Sequence, residues 1–285
     1  MRRSIPFAFS ILLLAAVTAC TVNPATGQRH LNMLSQSQEI LLGQQAAPDF
    51  VNNLGGEIPS GQIRQYVSDI GNRLAAVSER PDLPWQFTVV DSQVLNAFAL
   101  PGGNVFISRG LLEKLEDEAM LAGVLGHEIG HTTAQHIGQQ MSRQMVFKGV
   151  LQAVGAAASQ GNSELIPLLM RGAEVGGGLY LLKFSRDQEH ESDHLGIRYL
   201  VREGYDPNGV VRVLGVLERE AGGRGASITS THPDPGERRK RAAAYVAKNY
   251  PDANEPGKYV QNRVLFQQTV LNTLASMPPA KHTGK

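Results

Sequence analysis

The sequence predicts a mainly helical α+β domain in which one small sheet precedes a helix with a metal-binding pattern. Three observations lead there. Apolar residues at helical spacing, in runs separated by glycine and proline, fill most of the 285-residue chain. Only residues 85–108 alternate like strands. The stretch Leu125-Gly126-His127-Glu128-Ile129-Gly130-His131 lies in a proline-free run of helix formers over residues 117–141.

Met1-Arg2-Arg3 and the apolar run that follows read as a secretory signal over residues 1–19, too short to span a bilayer comfortably as a permanent helix. The signal ends at Val17-Thr18-Ala19, and Cys20, the single cysteine, follows. That junction resembles a bacterial lipobox and implies cleavage before Cys20, with lipid on its thiol and new amino group. Thr21 rather than aspartate comes next, which favours anchoring at the periplasmic side of the outer membrane. Losing residues 1–19 removes Arg2 and Arg3 and no acid, so a formal charge of +1 becomes −1. No basic patch argues for nucleic acid.

Asn23-Pro24 and Thr26-Gly27 make residues 21–33 a tether or loop. Ser35-x-x-Gln38 is a capping box that opens a helix through about Phe50. After Gly55, Gly56, Pro59 and Gly61 comes a second amphipathic helix, with Ile63, Tyr66, Val67, Ile70, Leu74 and Val77 on one stripe. Pro81 and Pro84 end it. Strands are expected over 85–90, 94–100 and 104–108, the last two joined at Pro101-Gly102-Gly103. Asn96, Ala97, Phe98 and Ala99 form either an edge that holds an extended peptide by main-chain hydrogen bonds or a strand that only supports the helix.

Residues 141–184 are rich in Ala, Gly and Leu. Lys148, Glu164, Arg171, Glu174 and Lys183 interrupt them too often for a membrane span. Two core-packed helices joined near Gly161-Asn162-Ser163 are expected there. Further helices are expected over 185–203, 208–220, 235–249 and 259–275, followed by a disordered tail.

On a helix His127 and His131 lie about 40° apart, and Glu128 lies about 100° from His127. This is H-E-x-x-H: two imidazoles for one metal and a carboxylate placed to take a proton from water. A third histidine ligand of the H-x-x-G-x-x-H type is excluded, because Ala134 and Ile137 occupy those positions. His136, about 180° from His127 on a continuous helix, is expected at the surface. Of Glu164, Glu174, Glu189, Glu191 and Glu203, geometry favours Glu189. It shares a stripe with Asp193, Ile197 and Leu200, and two acids one turn apart on a buried face need a cation. Asp193 would accept a hydrogen bond from the other nitrogen of a ligand histidine. Glu191, His190 and His194 are expected to face solvent. Imidazole and carboxylate donors suit Zn2+, one per chain.

These residues resemble those of the HtpX/BepA-like zinc metallopeptidases, a family that also contains the CAAX prenyl endopeptidases. The likeness runs over residues 63–246, on Asn96-Ala97-Phe98-Ala99 with Gly102-Gly103, His127 to His131, Phe184-Ser185-Arg186 leading to Glu189-x-x-x-Asp193, and Thr231-His232-Pro233. It implies a zincin-like gluzincin domain over 61–250 with zinc on His127, His131 and Glu189. It also implies Glu128 as general base and 96–99 as the substrate edge. His232 and Arg238 match positions near the zinc that steady the oxyanion; in some relatives the histidine instead binds zinc and holds the enzyme shut. From the residues alone His232 could equally just start the next helix, and Arg238 could belong to a solvated basic face.

Residues 20–60 would then be lipidated N-terminus, tether and first helix, and 251–285 a last helix and tail. Membrane helices like those of HtpX are not expected, and the residues after the core are expected to be too few for a tetratricopeptide module. The expected activity is a zinc endopeptidase of the bacterial periplasm acting on unfolded or misassembled envelope proteins. The alternative is a chaperone working with the outer-membrane assembly machinery, its protease activity latent behind His232. A zinc amidase of cell-wall peptides is a third reading.

Overall fold

The computed structural model describes residues 20–158, 183–220 and 228–281. The signal, the junction at Gly161-Asn162-Ser163 and the second helix expected before Phe184 lie outside them. Among the described residues no helix is long and apolar enough to cross a membrane.

The stretch expected to be a loose tether is a hairpin. Strands β1 (Cys20–Val22) and β2 (Arg29–Leu31) pair antiparallel. Asn23 turns the chain by accepting the Ala25 amide on its side chain and the Gly27 amide on its carbonyl. Helix α1 (Gln36–Asn53) opens with the Ser35/Gln38 capping box. Helix α2 (Gly61–Ala76) buries Ile63, Val67, Ile70 and Leu74 completely or nearly so, each such side chain contributing about 1.5–3 kcal/mol.

Strands β3 (Gln86–Val90), β4 (Ala97–Leu100) and β5 (Asn104–Ser108) form one sheet in the order β3-β5-β4. The β3–β5 pair is parallel and the β4–β5 pair antiparallel, with Phe98 opposite Phe106. β5 is therefore buried throughout and β4 lies at an edge. The turn between them needs glycine: Gly102 has φ +80°, and a Cβ there would sit 2.4 Å from the Ile40 backbone of α1.

A short helix α3 (Arg109–Leu112) leads into α4 (Glu118–Thr133), capped by Asp117, which accepts the Met120 amide. Every residue of α4 is buried. The run expected to continue to Met141 breaks after Thr133. Gln135 adopts φ +59°, and a new helix α5 (His136–Ala158) departs from that kink. Arg80 braces the break, donating to the Thr132 carbonyl and pairing with buried Glu39 of α1.

Helix α6 (Arg186–Arg202) crosses α4; α7 (Asn208–Glu220) and α9 (Pro235–Asn249) complete the bundle, with a single turn α8 (Ile228–Thr231) between them. The last helix starts later than expected, as α10 (Arg263–Phe266), a π turn (Gln267–Leu271) and α11 (Asn272–Ala275). The tail expected to be disordered is docked as far as Lys281. Arg109 donates to the carbonyls of Leu274 and Pro278, and Lys281 bridges to Ser92 beside the sheet.

Candidate metal centre

The close crossing of α4 and α6 makes the site. A Cβ on Gly126 would lie 3.2 Å from Cα of Gly196, and one on Gly130 would lie 2.8 Å from Oγ of Ser192. With no side chains between them the two backbones approach until Ser192 Oγ donates to the His127 carbonyl. Only at that separation does the short Glu189 side chain reach both histidines. These small residues, Gly126-x-x-x-Gly130 against Ser192-x-x-x-Gly196, are a sequence signal for the crossing that the ligand pattern alone does not contain.

Nε2 of His127 and Nε2 of His131 lie 3.0 Å apart, and the Glu189 carboxylate lies 3.5 and 3.4 Å from them. His232, which follows α8, brings Nδ1 to 3.0 Å from Glu189 and 3.3 Å from His127 Nε2. One donor atom from each of His127, His131, Glu189 and His232 falls within 4.8 Å of all the others, and all four residues are buried. The structure thus brings together the three expected ligands and adds a fourth. Thr231 also accepts the Phe184 amide, joining the segment before His232 to the one before α6.

The donors fit a metal ion on their own chemistry. His127 Nδ1 donates to Asp193 Oδ1 at 3.0 Å, and a carboxylate can only accept. The proton of a neutral His127 is thereby committed, leaving a lone pair on Nε2 aimed at Nε2 of His131. Either a metal ion or a hydrogen carried on His131 Nε2 must lie between them. Without metal the site draws in a proton: burial and Arg238 disfavour it, but the bonds to Asp193 and Glu189 win and raise His127 to about 9. His131 is held well below its ordinary value by burial. For Glu189, burial works against ionisation, yet Arg238 and His232 hold its carboxyl well below the usual range. His232 Nε2 and Glu128 Oε2 are buried without a hydrogen-bond partner.

Glu128 is 2% exposed, and its Oε1 lies 3.8 Å from His232 Nε2. Burial raises its pKa, as a proton-accepting base requires. Arg238 does not belong to a solvated face. From α9 it donates through Nε and Nη2 to both oxygens of Asp193, at 2.9 and 2.7 Å, and pairs with Glu189 at 2.5 Å. Beside Glu128 lies a partly open recess, walled by Val124, Val210, Val213, Leu214, Leu217 and Ile228.

Strand β4 flanks the centre on another side. Ala99 packs with Phe184, Ile137 and Met141, and the Phe184 ring lies 3.9 Å from that of His131. Asn96 and Ala97 are buried; Phe98 and Ala99 are half-buried. Cys20 opens the hairpin and is not one of the four grouped donors.

Four residues lie elsewhere than the sequence predicts. His136 is fully buried, with Nδ1 2.9 Å from Nδ1 of His131, because the kink at Gln135 voids the helical-wheel angle that put it at the surface. Glu191 is half-buried: it accepts Asn23 Nδ2 at 2.6 Å and lies 3.6 Å from His136 Nε2. His190 and His194 are half-buried too, the latter stacked on Tyr245 at 4.0 Å.

Residues 62–246 match the model of peptidase family M48. The chain belongs to that family. Similar proteins include the beta-barrel assembly-enhancing protease of Escherichia coli (strain K12), 30% identical over 246 residues, 79% of this chain and 49% of that protein. The mitochondrial metalloendopeptidase OMA1 of Schizosaccharomyces pombe is 30% identical over 227 residues, 78% of this chain and 65% of that protein. Metalloprotease YcaL of Escherichia coli (strain K12) is 27% identical over 256 residues, 83% of this chain and 97% of that protein. The chain spans about half the length of the assembly-enhancing protease it matches. M48 membership accords with the mainly helical, zincin-like arrangement around H-E-x-x-H.

Proposed function

We propose that the chain is a zinc-dependent endopeptidase of the bacterial periplasm that hydrolyses unfolded or misassembled envelope proteins. The observation that carries the reading is the convergence of His127, His131 and Glu189 in a buried cluster with Glu128 beside it. The assembly-enhancing protease is so named in several bacteria, and this supports an envelope substrate.

His127, His131 and Glu189 would hold the zinc, which when bound polarises the peptide carbonyl and acidifies water. Glu128 takes the proton of the attacking water and delivers it to the leaving amine. Asp193, fixed by Arg238, holds the His127 ring in the tautomer that presents Nε2. Arg238 carries the positive charge that the two carboxylates balance, and it lines the recess where an oxyanion would form. The recess offers apolar walls and suits an aliphatic side chain next to the scissile bond. The edge position of β4 suits an extended backbone. A lipid on Cys20 would keep the domain at the periplasmic face of the outer membrane.

A second reading has one observation in its favour. His232 completes a four-donor set, the closed arrangement of a structural rather than a catalytic zinc. Such a protein would bind assembling outer-membrane proteins and cut only when His232 withdraws. Incubating the zinc-loaded chain and its Glu128→Gln and His232→Ala variants with unfolded casein separates the two. Cleavage that depends on Glu128 supports the peptidase; no cleavage by any variant supports the binder.

A further inference from the structure

We propose that His136, backed by Glu191 and Asn23, is a positioning relay for the metal ligand His131, so that the N-terminal hairpin helps set the metal affinity. The inference rests on the metal-centre reading above and goes beyond it, since none of these three residues touches the ligand cluster's donor atoms.

A histidine that binds metal through Nε2 as a neutral imidazole carries its hydrogen on Nδ1. Nδ1 of His131 faces Nδ1 of His136 at 2.9 Å. One of these atoms must donate and the other accept. If His131 donates, His136 accepts on Nδ1 and must itself be protonated on Nε2. That atom is buried and has no hydrogen-bond partner within direct reach, and Glu191 Oε2 faces it as an ion-pairing carboxylate at 3.6 Å. Glu191 is held from behind by Asn23 Nδ2 at 2.6 Å. The orientation of that amide is settled, because Asn23 Oδ1 is occupied by the Ala25 amide at 2.8 Å. Once His131 donates from Nδ1, as metal binding through Nε2 requires, the remaining assignments follow with the lone pair of His131 on Nε2.

The other ligand histidine has its own relay. His127 Nδ1 meets Asp193, and Asp193 is gripped by Arg238. That relay is short, fully buried and anchored by a cation. The relay behind His131 is one imidazole longer and ends on a neutral amide in the β1–β2 turn. The hairpin is fastened to the same corner a second time, where His30 Nε2 meets Gln135 Oε1 at 3.2 Å. Residues immediately after Cys20 are thus wired to the metal centre through its back wall.

The test is zinc affinity of the full chain, measured by chelator competition, together with the visible spectrum of the Co2+-substituted protein. His136→Ala should weaken zinc by about 10- to 100-fold, the usual effect of losing a ligand's hydrogen-bond partner, and should alter the Co2+ bands. His136→Asn, which places a polar atom near the Nδ1 position, should recover part of the loss. Glu191→Gln and Asn23→Ala should each weaken zinc by a smaller factor, about three- to tenfold. Phe50→Leu, in the separate cluster around α1 and the sheet, should lower stability and leave zinc affinity unchanged.

If His136→Ala does not fold, the Glu191 and Asn23 variants carry the test with the ring intact. Zinc affinity unchanged in those variants, or His136→Asn no better than a folded His136→Ala, overturns the relay while the peptidase reading stands. A wild-type chain that binds no zinc overturns the metal-centre reading itself.

Discussion

Nε2 of His127 and Nε2 of His131 point at each other across 3.0 Å, with the proton of His127 committed to Asp193 on the far side. With the His131 hydrogen likewise on Nδ1, toward His136, the two Nε2 lone pairs repel, and burial denies them water. Stripping the metal with a chelator should therefore lower stability as well as activity. At zinc a thousandfold above its dissociation constant the difference is about 4 kcal/mol, read as a concentration-dependent rise in Tm on adding zinc back. A Tm indifferent to zinc would refute the assignment of these residues as ligands.

Glu128 is beside the cluster but outside the four-donor set. Glu128→Gln should keep zinc stoichiometry and lower casein cleavage by at least about 100-fold, the scale of a lost general base. Loss of zinc with the activity would mean that Glu128 is a ligand instead.

His232 occupies the fourth donor position, where a substrate carbonyl or water would have to enter. His232→Ala should raise the rate of casein cleavage while zinc stays bound. A rate that falls by about 100-fold with KM unchanged would assign His232 to the oxyanion instead.

Gly196 lies against Gly126, where a Cβ would sit 3.1 Å from the Gly126 and His127 backbone, tighter than ordinary contact. Gly196→Val should cost about 1–3 kcal/mol by overpacking. It should also move α6, and Glu189 with it, away from the histidines, so zinc affinity should drop more than stability alone explains. Titration with zinc beside thermal unfolding checks this. An unaltered affinity would show that Glu189 has slack the geometry does not suggest.

Much of the centre was legible in the chain, and for definite reasons. The i, i+4 histidines, the Glu189/Asp193 stripe and the Ser35-x-x-Gln38 cap are local patterns whose geometry a helix fixes. What escaped was set by breaks and contacts between distant segments. His136 was misplaced because nothing in Thr133-Ala134-Gln135 announces a left-handed residue. Asn23, in a stretch read as tether, meets Glu191 across 168 positions of sequence. The tail to Lys281 docks because Arg109 finds carbonyl acceptors there, a partnership composition does not encode. The expectation for Gly161-Asn162-Ser163 lies outside the described residues.

The amide of Phe184 bonded to the carbonyl of Thr231 has a mechanical consequence. Phe184 directly precedes the cap of the helix that carries Glu189, and Thr231 directly precedes His232. A swing of the plugging imidazole must either break that link or tug on the first turn beneath the carboxylate donor. Unplugging the centre and loosening its grip are therefore two faces of one movement.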